Sequence, residues 1–217
     1  FLRAWYSEEE KKKRWGSDLS LAIEANHRNN EGVFNHYFEF FSKNIQLNRP
    51  AKILEVGCYD GFFLKMFSDS GYECKGIDLN EGFVKYGRNQ YGLDLECGTI
   101  FDCGFADQSF DLVVFHQVLE HLNDPIAFLN EVFRVTKEDG FVFLSAPNTG
   151  ALVHKAELSF INGKRKPRFV DFPNHLFYFS KNSLEFLLND TGFKDPIIRT
   201  FSNSGDPENV LKKLGAD

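Results

Sequence analysis

The residues best placed to do chemistry follow the first short apolar run of the chain, residues 53–56. The segment Gly57-Cys58-Tyr59-Asp60-Gly61, here called the glycine turn, interrupts that run, and phenylalanines then recur at helical spacing from Phe62 to Phe67. Strand, tight turn and helix is the arrangement in which backbone N–H groups and a helix N-terminus meet the polar end of a ligand. Gly57 lets a ligand approach the main chain because it has no Cβ. The pattern favours a ligand-binding turn over an ordinary strand-to-helix connection.

Asp78 supplies a carboxylate whose position in the sequence, relative to the glycine turn, is typical of a nucleotide site. It ends a second short apolar segment, Gly76-Ile77, about 20 residues after Gly57. In open α/β folds a carboxylate at this place accepts hydrogen bonds from both ribose hydroxyls. The dinucleotide pattern G-x-G-x-x-G is absent, because Tyr59 and Phe62 occupy its later glycine positions. We therefore expect a nucleoside ligand that has no pyrophosphate.

A third motif, Phe110–Leu122, reads F-D-L-V-V-F-H-Q-V-L-E-H-L. With Glu55–Gly61 and Gly76–Leu79 it resembles the class I S-adenosylmethionine-dependent methyltransferases, over roughly residues 50 to 200. The subgroup it looks most similar to is the small-molecule enzymes that include the ubiquinone-pathway O-methyltransferases, whose fourth strand also runs into V-L-E-H. The resemblance implies an enzyme that uses S-adenosyl-L-methionine to methylate a small-molecule acceptor, with oxygen as the expected target.

The resemblance also implies which residues hold the methionine and ribose parts of the cofactor. Gly57, Cys58 and Tyr59 frame the methionine portion, and Glu55 orients the turn or accepts from the ligand's ammonium group. Asp78 takes the ribose hydroxyls.

The adenine end is implied by residues after the second and third predicted strands. Leu79 packs on the ring, and Thr99 and Ile100 fall where the family holds the adenine edge. That place usually carries an acidic residue followed by an apolar one, so Thr99 is a departure, and Asp102 is a possible substitute for the acid.

Three histidines are the candidate catalytic residues. His116 and Gln117 end the fourth strand, beside the methyl group in the family, so both are counted as cofactor contacts and His116 as a general base. In some relatives E-x-x-E-H binds a divalent cation, but Gln117 is a poor ligand for a hard cation, so we expect no metal. His121 is then a helix-start residue or a base, and His175, after a long loop, is the remaining base candidate.

Alternating strands and helices at this spacing predict an α/β, Rossmann-like doubly wound, mostly parallel sheet with helices on both faces. We expect an N-terminal helical cap at 1–48, including a helix at 32–45, and a cofactor domain at 49–217. A lid insertion at about 146–175 follows the fifth strand. A sixth strand is expected at 193–201. The predicted strands and helices between them are 52–56, 61–69, 73–78, 81–91, 93–97, 110–116, 125–136, 140–145 and 182–189.

The composition of the chain narrows the classes of partner it can bind and the cell compartment expected for it. The 217-residue chain carries a net charge of −6, which argues against nucleic-acid binding and against binding to anionic membranes. No apolar run approaches the ~20 residues of a membrane span. The four cysteines form no C-x-x-C pair, which is typical of free thiols in a cytoplasmic protein. The basic run 164–168 within the expected lid suggests an anionic acceptor.

Two other function classes stay open. One is a non-catalytic domain of this fold that serves as a module of a larger protein. The other is an NAD(P)-dependent oxidoreductase, which the missing later glycines disfavour.

Overall fold

The structure is a computed structural model that describes residues 19–150, 171 and 173–200. The chain divides after Ala146 into two compact units. In chain order, the helices and strands are α1 (Leu19–Asn44), β1 (Lys52–Val56), α2 (Phe62–Asp69), β2 (Glu73–Asp78), α3 (Glu81–Tyr91), β3 (Asp94–Cys97), β4 (Phe110–His116), a 3-10 helix (Leu119–His121), α4 (Pro125–Val135), β5 (Thr136–Ser145) and α5 (Lys181–Asp190).

The first unit is built on a five-stranded sheet in the order β3-β2-β1-β4-β5, in which every neighbouring pair is parallel. The chain steps outward from β1 to β3 on one side and from β4 to β5 on the other. Because parallel crossovers are right-handed, the connecting helices lie on both faces of the sheet. The predicted fold class is thereby confirmed. The order reverses between β1 and β4, which is where open α/β sheets bind ligands.

The two central strands form the core of the sheet. Residues 53–56 of β1 and 112–115 of β4 are buried, as expected for parallel strands covered on both faces. The strand and helix bounds predicted from β1 to α4 agree with the structure to within one or two residues. Strand β5 starts four residues before its predicted beginning at 140.

Helix α1 is longer than the sequence pattern predicts. The predicted helix at 32–45 is part of α1, whose described residues, Leu19–Asn44, carry the apolar face back to buried Ile23. Its aromatic residues pack on α2: the Phe34 and Phe63 rings lie 5.0 Å apart, and so do those of Phe41 and Phe67.

The second unit is described from 147 to 150, at 171 and from 173 to 200. Its helix α5 begins with a capping box, in which the side chains of Ser180 and Ser183 each bond the other's backbone N–H. The strand expected at 193–201 is wrong for 193–200, which have no strand structure. Asp195 has a left-handed φ of 50°, and Pro196 has no N–H to donate to a ladder.

The domain boundaries at 48 and 49 stay a prediction, and most of the expected lid at 146–175 lies outside the described residues. Within the described part of the chain, no helix combines the length and the apolar character that crossing a bilayer requires.

Candidate cofactor site

The glycine turn adopts a backbone that glycine favours. Gly57 and Gly61 have φ values of 72° and 82°, and Tyr59 between them is also left-handed at 56°. A Cβ on Gly57 would lie 2.6 Å from Cγ2 of Val118, so that side chain packs directly against the turn. Only glycine satisfies both the dihedral angle and this close approach.

The N–H groups of the glycine turn point into the protein. Those of Gly57 and Cys58 both donate to the carbonyl of Ile77, at 2.8 and 3.0 Å, and that of Gly61 donates to the carbonyl of Cys58 at 2.8 Å. In a pyrophosphate site, backbone N–H groups of this kind point at the ligand and donate to its phosphate oxygens. The turn is therefore not built to bind a diphosphate.

Asp78 joins the ends of β1 and β2. Its Oδ2 accepts the N–H of Tyr59 at 2.9 Å, and its Oδ1 accepts the N–H of Asn80 at 2.8 Å. Burial raises the pKa of this carboxyl to about 6, although the two N–H bonds oppose the rise. Each carboxylate oxygen has a further lone pair, so the group can still accept hydrogen bonds from a ligand.

Two more buried carboxyls belong to this region, Glu55 just before the turn and Asp60 within it. Glu55 is buried, its Oε2 has no hydrogen-bond partner among the described residues, and burial raises its pKa well above the ordinary value. Asp60 accepts from Tyr91 Oη at 3.3 Å and lies 2.8 Å from Nε2 of His27. With Asp78 they form a locally acidic site.

The predicted adenine residues occupy the neighbouring strand ends. Ile100 is buried and Leu79 is half-buried. Thr99 donates its hydroxyl to Oδ2 of Asp102 at 2.8 Å, and the N–H of Asp102 approaches the same hydroxyl oxygen at 3.2 Å. Thr99 and Asp102 thus form one local turn, and their contact with adenine stays a prediction.

His116 is held within an aromatic and polar cluster. Its ring meets those of Phe34 and Tyr37 edge-on, at 5.3 and 5.1 Å, and its Nδ1 is hydrogen-bonded to Oγ of Ser145. Burial lowers the pKa of the imidazole to about 4, so the ring is neutral at pH 7. His116 is therefore a weak base in this setting, and its catalytic role stays a prediction.

The segment after β4 carries the other predicted residues. Gln117 has a left-handed φ of 53° and donates its N–H to the carbonyl of Ser145, and His121 ends the 3-10 helix. His175 belongs to the second unit, where its ring lies 6.1 Å from that of Tyr178. The structure brings His116, Gln117 and His121 onto one strand end and leaves their roles as predictions.

From the sequence, Glu120 was weighed only within the V-L-E-H and E-x-x-E-H motifs and given no role in the site, and Asp60 was not paired with His27. Glu120 is completely buried, and neither carboxylate oxygen has a hydrogen-bond partner among the described residues. An acidic residue four positions after a buried strand was visible, but its burial depends on packing that no local pattern encodes.

The raised pKa values predict an unusual pH dependence of stability. Asp78 titrates near 6 and Glu120 near 7, both above their ordinary values, so the native chain binds these protons more tightly than the unfolded chain. Their stabilising contribution is complete at low pH and is lost as the pH rises through these values. We expect the free energy of unfolding of the ligand-free protein to fall between pH 5 and 7.5, by about 1–3 kcal/mol per group. Urea denaturation across that range measures it.

Substitution of Glu120 by Gln is the control for this prediction. The variant should lose the part of the decline that continues up to about pH 7 and retain the part that ends near pH 6. A free energy of unfolding that rises from pH 5 to 7.5 in the wild type would contradict the burial of these charges.

Comparison with known proteins defines the class. Residues 54–144 match the methyltransferase domain family. A "probable S-adenosylmethionine-dependent methyltransferase" of Mycolicibacterium smegmatis is 35% identical over 97 residues, which cover 44% of this chain and 38% of that protein. A ubiquinone biosynthesis O-methyltransferase of Neisseria meningitidis is 32% identical over 108 residues, or 46% and 45% of the two chains.

A solved structure supports the fold. The methyltransferase structure from Archaeoglobus fulgidus superposes with a TM-score of 0.63 at 19% identity, covering 91% of this chain and 90% of that one. Residues 54–144 therefore match a methyltransferase domain, and the curated relatives of this region include S-adenosylmethionine-dependent methyltransferases and ubiquinone biosynthesis O-methyltransferases. The matched part spans less than half the length of these curated relatives.

Proposed function

We propose that the chain is an S-adenosylmethionine-dependent methyltransferase that transfers the methyl group to an oxygen of a small-molecule acceptor. One observation supports the cofactor above all: four of the five N–H groups of the glycine turn donate to the protein, and buried carboxyls lie within and beside the turn. Such a site favours a cationic nucleoside over a diphosphate. The similarity to a ubiquinone biosynthesis O-methyltransferase supports oxygen as the target.

In this proposal the turn and the neighbouring strand ends divide the cofactor between them. Asp78 accepts from the ribose hydroxyls, and Glu55 accepts from the ammonium group. Holding the nucleophile and the methyl carbon at near-attack distance supplies much of the catalysis, because the displacement needs no covalent intermediate. The remaining contacts proposed for the cofactor are Gly57, Cys58, Tyr59, Leu79, Thr99, Ile100, His116 and Gln117.

The acceptor and the compartment belong to the same proposal. The basic residues Lys164, Arg165 and Arg168 that suggest an anionic acceptor lie outside the described residues. The four cysteines are all free thiols, which supports a reducing compartment such as the cytoplasm. The net charge of −6 supports a partner other than nucleic acid.

Methyl transfer is tested with labelled cofactor. The protein is incubated with S-adenosylmethionine labelled in the methyl group and with a panel of phenols, catechols and primary amines, and label and released S-adenosylhomocysteine are counted. We expect transfer to a hydroxyl acceptor and none without enzyme. Binding of S-adenosylhomocysteine without transfer to any acceptor would instead favour the non-catalytic module. Binding of NAD(P) would favour the oxidoreductase.

A further inference from the structure

Glu120 is a buried carboxyl group that the fold leaves without a partner. Its side chain is 0% exposed, and neither Oε1 nor Oε2 has a hydrogen-bond partner within the part of the chain that the structure describes. Buried polar atoms in native proteins are nearly always hydrogen-bonded, because desolvation without a partner is costly. A carboxyl group kept in this state is suited to receiving a hydrogen bond from a ligand.

The position of Glu120 connects it to the glycine turn. The left-handed backbone of Gln117 redirects the chain after β4, and the side chain of Val118 then packs against Gly57. Glu120 follows two residues later in the 3-10 helix. The contact of Val118 therefore places the segment that carries Glu120 beside the turn that we propose holds the methionine end of the cofactor, at the carboxyl ends of the paired strands β1 and β4.

Two titratable groups near Glu120 are identified in the first unit. Tyr37 of α1 is close enough for the charge of Glu120 to help raise the pKa of the phenol, which is already raised by burial. A ring nitrogen of His121 lies within 4.8 Å of a Glu120 oxygen. Tyr37 is hydrogen-bonded to Ser145, which also contacts His116. Tyr37 therefore stays protonated, as a donor rather than a base.

Glu120 is better suited to proton transfer than His116. Burial raises the pKa of Glu120 to about 7, close to neutral pH, whereas it lowers that of His116 to about 4. General bases work best when their pKa lies near the operating pH. In addition, Nδ1 of His116 is already engaged by Ser145, whereas no other described residue is hydrogen-bonded to either oxygen of Glu120.

We propose that Glu120 is the catalytic base, whose carboxylate accepts a hydrogen bond from an O–H or N–H group of the acceptor and takes its proton. This rests on the proposed function. The acceptor's lone pair forms the new bond to the methyl carbon, and the carbon–sulfur bond breaks with both electrons going to sulfur. The products are the methylated acceptor, neutral S-adenosylhomocysteine and protonated Glu120, which then loses its proton to water. Acceptors without a dissociable proton, such as thioethers, are excluded.

The test compares Glu120→Gln with the wild type in the labelled-methyl assay, on whichever phenol, catechol or amine the wild type methylates best. We expect kcat to fall about 10²- to 10⁴-fold, the usual contribution of a general base. The Kd of S-adenosylhomocysteine should change less than threefold. The wild-type rate should decline below pH 7, and this acidic limb should be missing from the residual activity of the variant.

Two further variants give the comparison its controls. Glu55→Gln removes another buried carboxyl and should instead raise the Kd of S-adenosylhomocysteine. Glu120→Asp keeps an acid and should retain more activity than Glu120→Gln, a difference that a purely structural role for the residue does not predict.

Each remaining outcome overturns the proposal. Turnover of Glu120→Gln within threefold of the wild type removes the base assignment and leaves the proposed function standing. Loss of S-adenosylhomocysteine binding in that variant assigns Glu120 to the cofactor site. Inactivation of the wild type by a chelator, reversed by Mg²⁺, makes Glu120 and His121 metal ligands. A wild type inert toward the whole panel overturns the proposed function and the base together.

Discussion

Replacing Gly87 by Ala should destabilise the first unit by about 3 kcal/mol, at the upper end of the usual cost of overpacking. Gly87 lies within α3, where a Cβ would come 2.0 Å from the carbonyl oxygen of Asp60 and 2.5 Å from Cδ1 of Leu95. The first of these atoms is backbone and cannot rotate away, so α3 must move off the glycine turn. Urea denaturation measures the loss, and the Kd of S-adenosylhomocysteine should rise with it, because Asp60 belongs to the turn.

Gly32→Ala is the matched control, because it makes the same substitution inside another helix. A Cβ at Gly32 in α1 meets nothing within 4 Å. The variant should gain about 0.5–1 kcal/mol, since alanine is the better helix former. Equal effects from the two substitutions would show that α3 does not press on the turn as described.

Replacing Asp78 by Asn should raise the Kd of S-adenosylhomocysteine about 10- to 100-fold, as expected for the loss of charge-assisted hydrogen bonds. The amide keeps a single acceptor oxygen. Its NH2 group then faces one of the two backbone N–H groups, of Tyr59 or Asn80, that now donate to the carboxylate. The ribose would lose its ionised acceptor and the turn would lose one of its anchors. Isothermal titration calorimetry at pH 7.5 gives the change.

Asp94→Asn controls for the loss of an aspartate near the same sheet. Asp94 begins β3 and forms an exposed ion pair with Lys75, with Oδ1 3.0 Å from Nζ. The Kd of S-adenosylhomocysteine for Asp94→Asn should stay within twofold of the wild-type value. Equal affinity in Asp78→Asn and the wild type would mean that Asp78 does not hold the ribose.

The sheet was predictable because its signals are local. Apolar runs such as 53–56 and 112–115 and the glycines that end them repeat at βα spacing, so strand order and ligand edge follow from general rules. The carboxylate of Asp78 was predicted in the same way, from its distance along the chain to Gly57. Its bonds to two backbone N–H groups were beyond any spacing rule.

What the sequence did not predict depends on packing between distant segments. The helical residues 19–31 of α1 pack through buried Ile23, and the low pKa of His116 rests on the aromatic rings of α1 that cover it. The strand predicted at 193–201 is absent over 193–200, where Asp195 has a left-handed backbone and Pro196 has no N–H to donate to a ladder. In the sequence, Glu120 stood out only within a weak metal motif. Its complete burial without a hydrogen-bond partner among the described residues is what makes it a candidate base.

An NMR titration of the ¹⁵N-labelled wild-type chain with S-adenosylhomocysteine tests the central claim most directly. The account predicts saturable shifts concentrated at the backbone amides of Tyr59 and Asn80, which donate to Asp78, with the amide of Gly32 unchanged. NAD⁺ at the same concentrations should leave all of these signals in place. Shifts at Tyr59 and Asn80 caused by NAD⁺, or none caused by S-adenosylhomocysteine, would contradict the assignment of the glycine turn and Asp78 to a sulfonium nucleoside.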